Sequence, residues 1–285
     1  VQKNTIASLD ELKISYYEIL NGYSFDPVSS LYVKHFTDKE SSLLLIKKIE
    51  LNKFYEKSGV PSQENLLKTA IQNGSWSQEK EEQIIGIKYT LADNERIIHD
   101  IIPEQRGWIE SQLDSKRKEL REIYAERKSI LGRYIEDLVD EDINDYICYI
   151  CCFKDNEFTL PVVESYDAYQ ELESEQLMEI SNTLSKIYNQ FDDEKIKQIA
   201  AMPFFLNKLS HCKDNIYHFL GKSLSDLSHN QINLFSLGVK NLNTLSRTEQ
   251  QPPDLNIEAT IQQVTSWYDI QYSIQLAKSK QNKHN

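Results

Sequence analysis

SQEKEEQIIGIKYTLADNERIIHD (residues 77–100) and PEQRGWIESQLDSKRKELREIYAERKSILG (residues 103–132) decide the fold class. In the first stretch Ile84, Ile87, Leu91 and Ile98 recur at helical spacing, and Glu, Lys and Asp fill most other positions. In the second, Ile109, Leu113, Leu120, Ile123 or Tyr124, and Leu131 carry the stripe on to Gly132. Two helices of about 25 residues, antiparallel across Pro103 to Gly107, form a helical hairpin; the alternative is one long kinked helix. Such a thin rod buries only a stripe, so it needs a partner surface from the same chain or another.

Helical signals continue on both sides. Ser8 and Glu11 have capping-box spacing ahead of Leu12, Tyr16, Ile19 and Leu20, and Asn21-Gly22 ends that helix. Pro27 breaks the next stretch, and Leu31 to Phe36 reads as a short strand or extended arm. A helix restarts at Asp38 and runs through Leu43 to Phe54 until Gly59-Val60-Pro61, and another spans Ser62 to Asn73. Beyond Gly132, the acidic run Glu136 to Asp145 favours a helix N-terminus, and Tyr146 to Phe153 then enters the core. Phe158 to Val163 is a short extended or loop piece around Pro161. Helices follow at Ser174 to Phe191 and at Asp192 to Ala201, Pro203 suits the first turn of another, and a last core-rich stretch runs from Leu224 to Leu242. Gln250-Gln251-Pro252-Pro253 reads as a linker, and Ile257 to Leu276 as a terminal helix. The tail after Ala277 frays unless a partner holds it.

The expected fold is therefore all-α or nearly so, with at most a short β-strand or extended arm. Four regions are expected: 1–75 (helical, with the arm), 76–132 (hairpin), 133–249 (helical core) and 250–285 (linker and C-terminal helix). No internal repeat is visible. The 285 residues include 40% apolar and 27% charged positions but only 8 Gly and 7 Pro, which excludes collagen-like, linker-like and globally disordered chains.

A net charge of -12 opposes approach to phosphate backbones and anionic lipid. The densest basic stretch, Lys116 to Lys128, interleaves Glu119, Glu122 and Glu126, which suits a solvated helix flank better than a nucleic-acid footprint. No segment approaches the length of an apolar membrane span, and no secretory signal pattern opens the sequence, so the cytoplasm of a cell is the expected site.

Chemistry-bearing motifs are sparse. The glycines are isolated, so neither a phosphate loop nor a dinucleotide fingerprint can be built, and no cofactor is expected. Cys148-x-x-Cys151 has metal-ligand spacing, and His211-Cys212 offers two more donors, but Cys148, Cys151 and Cys152 sit among Tyr, Ile and Phe, where free cysteine packs as a small hydrophobe. His211 and His218 are two helical turns apart, with His229, Asp214 and Asp226 nearby; the plainer reading is helix caps and polar contacts. The acidic run reads as a solvated face or a patch for a basic partner rather than a metal site.

Aromatic residues are plentiful, with 16 Tyr, 10 Phe and 3 Trp available as rigid interface anchors. The candidate interface residues are Tyr32, Phe36, Trp76, Trp108, Phe204, Phe205, Trp267 and Tyr268. Trp76 and Trp108 flank the hairpin and either make contacts outside it or, with at least equal weight, seal it against its neighbours.

Two stretches carry a resemblance. Ser24-Phe25-Asp26-Pro27 through Leu31 to Thr37, and Pro203 to Asn207 running through Cys212-Lys213-Asp214-Asn215 to Lys222, together with the hairpin between them, resemble a helical tail-assembly or baseplate-associated protein of tailed bacteriophages. The likeness spans residues 10–240. It implies a non-enzymatic protein that binds other virion subunits, as an assembly chaperone or a retained component, and offers no catalytic residues. The helix after Pro253 is least covered and would be this chain's own attachment device. Two further readings stand beside it: an enzyme with a scattered His/Asp site near residues 211–229, and a free cytoplasmic regulatory or inhibitory protein-binding module.

Overall fold

The computed structural model describes residues 8–97, 103–212, 215–255 and 260–281. Among them are thirteen α-helices and one small sheet, so the protein is mostly α. The chain divides into two compact units, residues 1–45 with 145–285, and residues 46–144.

The first unit is built on α1 (Leu9–Asn21), β1 (Tyr23–Asp26) and β2 (Leu31–Lys34), followed by the start of α2 (Asp38–Lys57). The Ser8–Glu11 capping box opens α1, with both reciprocal bonds formed, and Gly22 closes it at φ 80°, a left-handed conformation that favours glycine. The expected arm is more than a single strand. β2 is the central strand of an antiparallel sheet, pairing Phe25 with Tyr32 on one side and Tyr32 with Phe153 of β3 (Cys152–Phe153) on the other. β3 ends α6 (Ile135–Cys151), whose first turn carries Glu136 and Asp137 as the dipole requires.

The remainder is helical: α7 (Tyr166–Gln170), α8 (Ser174–Asn189), α9 (Asp193–Ala201), α10 (Pro203–Ser210), α11 (Ile216–Leu220), α12 (His229–Ser246) and α13 (Ile261–Gln281). Pro203 takes the first turn of α10. α9 packs against α1, α10, α12 and α13. A Cβ at Gly238 of α12 would lie 2.4 Å from Phe205 Cε1 and 2.5 Å from Leu209 Cδ2, so this glycine sets how closely α10 approaches.

The second unit contains most of α2, then α3 (Gln63–Gln72), α4 (Gln78–Ile97), α5 (Pro103–Leu131) and most of α6. α4 and α5 are antiparallel, because Lys80 pairs with Glu126, Gln83 with Glu119 and Glu95 with Arg117. The hairpin reading holds over the kinked helix, but its turn does not lie at Pro103 to Gly107. Those residues are the first turn of α5, where proline's missing N–H leaves no bond unmade. Ile98, expected on the α4 stripe, lies outside the described residues.

The hairpin's covering surface comes from its own chain. Trp76, Ala70, Ile84 and Leu131 form a core with Leu66 and Ile71 of α3 and Leu120, Ile123 and Tyr124 of α5. Polar groups lock it: Arg127 donates from Nε to Glu81 Oε1 at 2.7 Å and from Nη2 to Oε2 at 3.2 Å, and Trp76 Nε1 donates to the same Oε1 at 2.8 Å.

The division therefore falls after residues 45 and 144, rather than after 75, 132 and 249. The sheet joins the N-terminal strands to residues 152–153, which places both in one unit. α13, beyond the expected linker, buries Ile261, Val264 and Tyr268 in the first unit's core.

Candidate interaction surface

The eight aromatic candidates separate by burial. Phe205, Trp76 and Tyr268 are core residues, so none is free to meet a partner. Phe205 touches Tyr16 and Phe219 edge-on, and Trp76 seals the hairpin base. Tyr32 is half-buried between Tyr23 and Phe25, and half-buried Phe36 lies near Tyr188 and His229. Phe204 is half-buried and lines a groove of about 410 Å³ with Leu9, Pro252, Pro253, Val264 and Tyr268. Trp108, on α5 of the second unit, is 68% exposed, as large a free apolar surface as any candidate offers. Trp267 is half-buried, T-shaped against Tyr268 at 5.0 Å.

Around Trp267 the surface is organised. Thr260 and Gln263 form a reciprocal cap that starts α13: Gln263 Oε1 accepts from Thr260 N at 2.8 Å, and Gln263 N donates to Thr260 Oγ1 at 3.3 Å. Val264, Thr265, Tyr268 and Gln271 then face inward. Burial pushes the Tyr268 hydroxyl up to about 12. On the opposite side Ile270 and Ile274 are 57% and 42% exposed. A shallow groove of about 600 Å³ runs beside them, lined by Pro253, Gln262, Gln263, Ser266, Trp267 and Ile270. The sequence reading missed Ile270 and Ile274 as surface residues. Their signal was available as a second apolar stripe, since a helix with one buried face needs only one.

α2 differs, because its only buried residue is Glu40 and its apolar side chains are exposed or half-buried. Leu43 and Leu45 in the first unit, and Ile46, Ile49 and Phe54 in the second, are all exposed. Its N-terminus is capped by Thr37, whose backbone N donates to Glu40 Oε2 at 3.1 Å, while Lys34 reaches Oε1 at 2.5 Å. Burial pushes the Glu40 carboxyl up, but hydrogen bonds from Lys34 and Thr37 outweigh it and hold it below the usual range.

The candidate chemical groups do not converge. Cys148, Cys151 and Cys152 are buried as the packing reading expects, and burial pushes all three thiols up, Cys151 to about 12. Cys212 is half-exposed at the end of α10. Among the described residues no three His, Cys, Asp or Glu side chains gather to hold a metal. His211 caps α10 while His218 belongs to α11, so the helix that would align them does not persist. Asp214 lies outside the described residues. His229 meets Asp38 at 3.2 Å and Asp226 accepts from Ser223 Oγ at 2.5 Å.

One histidine escaped the sequence reading. His35 is fully enclosed, its Nε2 3.0 Å from Ser24 Oγ, its ring edge-on to Phe191, and its Nδ1 without a hydrogen-bond partner. Desolvation, aided by the charge of Lys222, pulls it down to about 4. The folded chain therefore refuses a proton that the unfolded chain accepts below about 6.5. The His35 contribution is intact above that value and is lost as pH falls towards 4. Urea titrations between pH 7 and 4 should show about one extra proton taken up on unfolding, a difference that His35→Gln removes.

Among the described residues, no helix is long and apolar enough to cross a membrane. The chain matches no protein-family model, no curated protein and no solved structure.

Proposed function

We propose that this protein is a non-enzymatic structural or assembly protein that binds other protein subunits, and that those subunits belong to a phage tail or baseplate. The observation that carries the binding role is the second apolar face on a helix, α13, whose first face is already packed. Ile270 and Ile274 form that face, since Val264 and Tyr268 fill the core from the other side. Exposed large aliphatic groups contribute nothing to folding at such positions, and contiguous ones mark surfaces that another protein covers. The exposed Leu43, Leu45, Ile46, Ile49 and Phe54 of α2 and Trp108 on α5 add further exposed apolar surface. The phage setting rests on the sequence resemblance over residues 10–240.

Native mass spectrometry of the protein purified from its natural source tests the reading. A discrete complex with other large proteins, recovered in purified particles, is the expected result. A chain of 33.3 kDa recovered alone, or only with copies of itself, overturns it. A complex found free but never in particles would favour the regulatory module instead.

A further inference from the structure

The turn between β1 and β2 and one face of α8 enclose a cavity of about 420 Å³ within the first unit. Two of its lining residues carry polar groups that folding has withdrawn from water. Asp26 is 4% exposed; its Oδ2 accepts from Ser29 N at 3.0 Å and Oγ at 2.9 Å, and its Oδ1 from Lys186 at 2.5 Å. Thr183 is 5% exposed and is the polar member of the buried stripe of α8, with Ile180 and Ile187. Thr69, Thr90, Thr244 and Thr265 each donate to the carbonyl four residues before them, the usual bond of a helical threonine. The Thr183 hydroxyl makes no such bond and has no partner among the described residues, so it faces the cavity with its hydrogen-bonding capacity unused.

Charge in the cavity is unbalanced. Glu175 and Glu179 line it as well, exposed and without an ion pair among the described residues, so three carboxylates share the single ammonium of Lys186. They do not converge on one point, because among the described residues no three acidic side chains gather to hold a metal ion. Glu175, Glu179 and Thr183 follow at four-residue intervals along α8, so the outer two lie about 12 Å apart along its axis. The apolar surface in the same cavity belongs to Met178 and Val28, 59% and 84% exposed. A point cation cannot satisfy a row of that length. An alkyl chain carrying several ammonium groups can, with its methylenes laid on Met178 and Val28. Lys186 already demonstrates the chemistry: its own alkylammonium sits on the buried Asp26 carboxylate while 60% of its side chain stays exposed, so a free amine can take its place.

We propose that this cavity binds an aliphatic polyamine. The inner ammonium takes Thr183 and Asp26 in place of Lys186, and the outer ammonium groups take Glu179 and Glu175. The site needs no other protein, so it stands or falls apart from the assembly reading.

Isothermal titration calorimetry of the full chain with spermidine decides the matter. A single molecule per chain should bind, with half-saturation below about 1 mM at low ionic strength. Thr183→Val keeps the branched shape and removes the hydroxyl. It should weaken spermidine binding about 10-fold and leave the urea midpoint unchanged or raised, because that hydroxyl holds nothing in the folded chain. Glu175→Gln with Glu179→Gln alters only exposed side chains and should weaken binding by about 10-fold or more. Lys186→Gln removes the tethered competitor and should tighten binding, whereas loss of a merely structural brace would loosen it. Magnesium ion carries charge without length and should not displace spermidine at equal charge concentration. Absence of saturable binding up to about 1 mM, unchanged affinity in Thr183→Val or in the Glu175/Glu179 pair, looser binding in Lys186→Gln, or displacement by magnesium each overturns the proposal.

Discussion

Phe205→Ala is expected to destabilise the first unit by about 4 kcal/mol, lowering its melting temperature by about 12 °C. Phe205 is completely buried, its ring edge-on to Tyr16 and Phe219, with a close approach to the backbone of α12 at Gly238. Truncation leaves a cavity that three helices cannot close without moving against one another. Phe204→Ala, one residue away, should cost about 1 kcal/mol, because that side chain is half-exposed in its groove. Gly238 supplies an internal control. A methyl group at 238 meets Phe205 and Leu209 in the native chain, and in Phe205→Ala only Leu209 remains in its way. Gly238→Ala should therefore destabilise the wild type by more than it destabilises the truncated variant. Thermal and urea unfolding of the four proteins measure the coupling. Equal effects of Gly238→Ala in both backgrounds would show that the Phe205 ring does not bear on position 238.

The second large effect concerns the hairpin. Glu81→Ala is expected to cost about 3 kcal/mol, because it leaves the nearly buried Arg127 guanidinium without its bidentate carboxylate and the Trp76 indole N–H without its acceptor. Removing one partner of an enclosed ion pair is far more damaging than removing a surface pair. Glu64→Ala breaks the exposed bond to Lys68 and should leave the unfolding midpoint essentially unchanged. Hydrogen exchange followed by peptide mass spectrometry reads the result locally. Amides of α4 and α5 should exchange about 100-fold faster in Glu81→Ala, with those of α9 and α12 unchanged. Uniform acceleration across both units would contradict the separation of the two cores.

Much of this architecture was present in the order of residues. Ser8 with Glu11, Pro203, Gly22 and the stripe from Ile84 to Leu131 act over a few neighbouring positions, and local signals of that kind specify a helix, its ends and its inward face. The strand at Leu31 to Lys34 was legible for the same reason. Its partners were not. β3 lies more than a hundred residues away and is only two residues long, too short to show a period.

Tertiary packing also decided the fate of the aromatic candidates. Phe204 and Phe205 are neighbours in sequence, yet one lines a groove and the other fills the core, because consecutive helical positions point about 100° apart and only the arrival of α1 and α12 fixes which direction is inward. His35 was hidden for a related reason: its enclosure by Ser24, Phe191 and the residues around Lys222 draws on segments that lie far apart in the chain. By itself, then, the sequence determined most of the longer helices and caps such as Ser8 with Glu11, and it carries both apolar stripes of α13. Which stripe is buried, which aromatic groups stay free, and how residues 1–45 rejoin residues 145–285 were decided by tertiary structure, because burial is a property of what arrives from elsewhere in the chain.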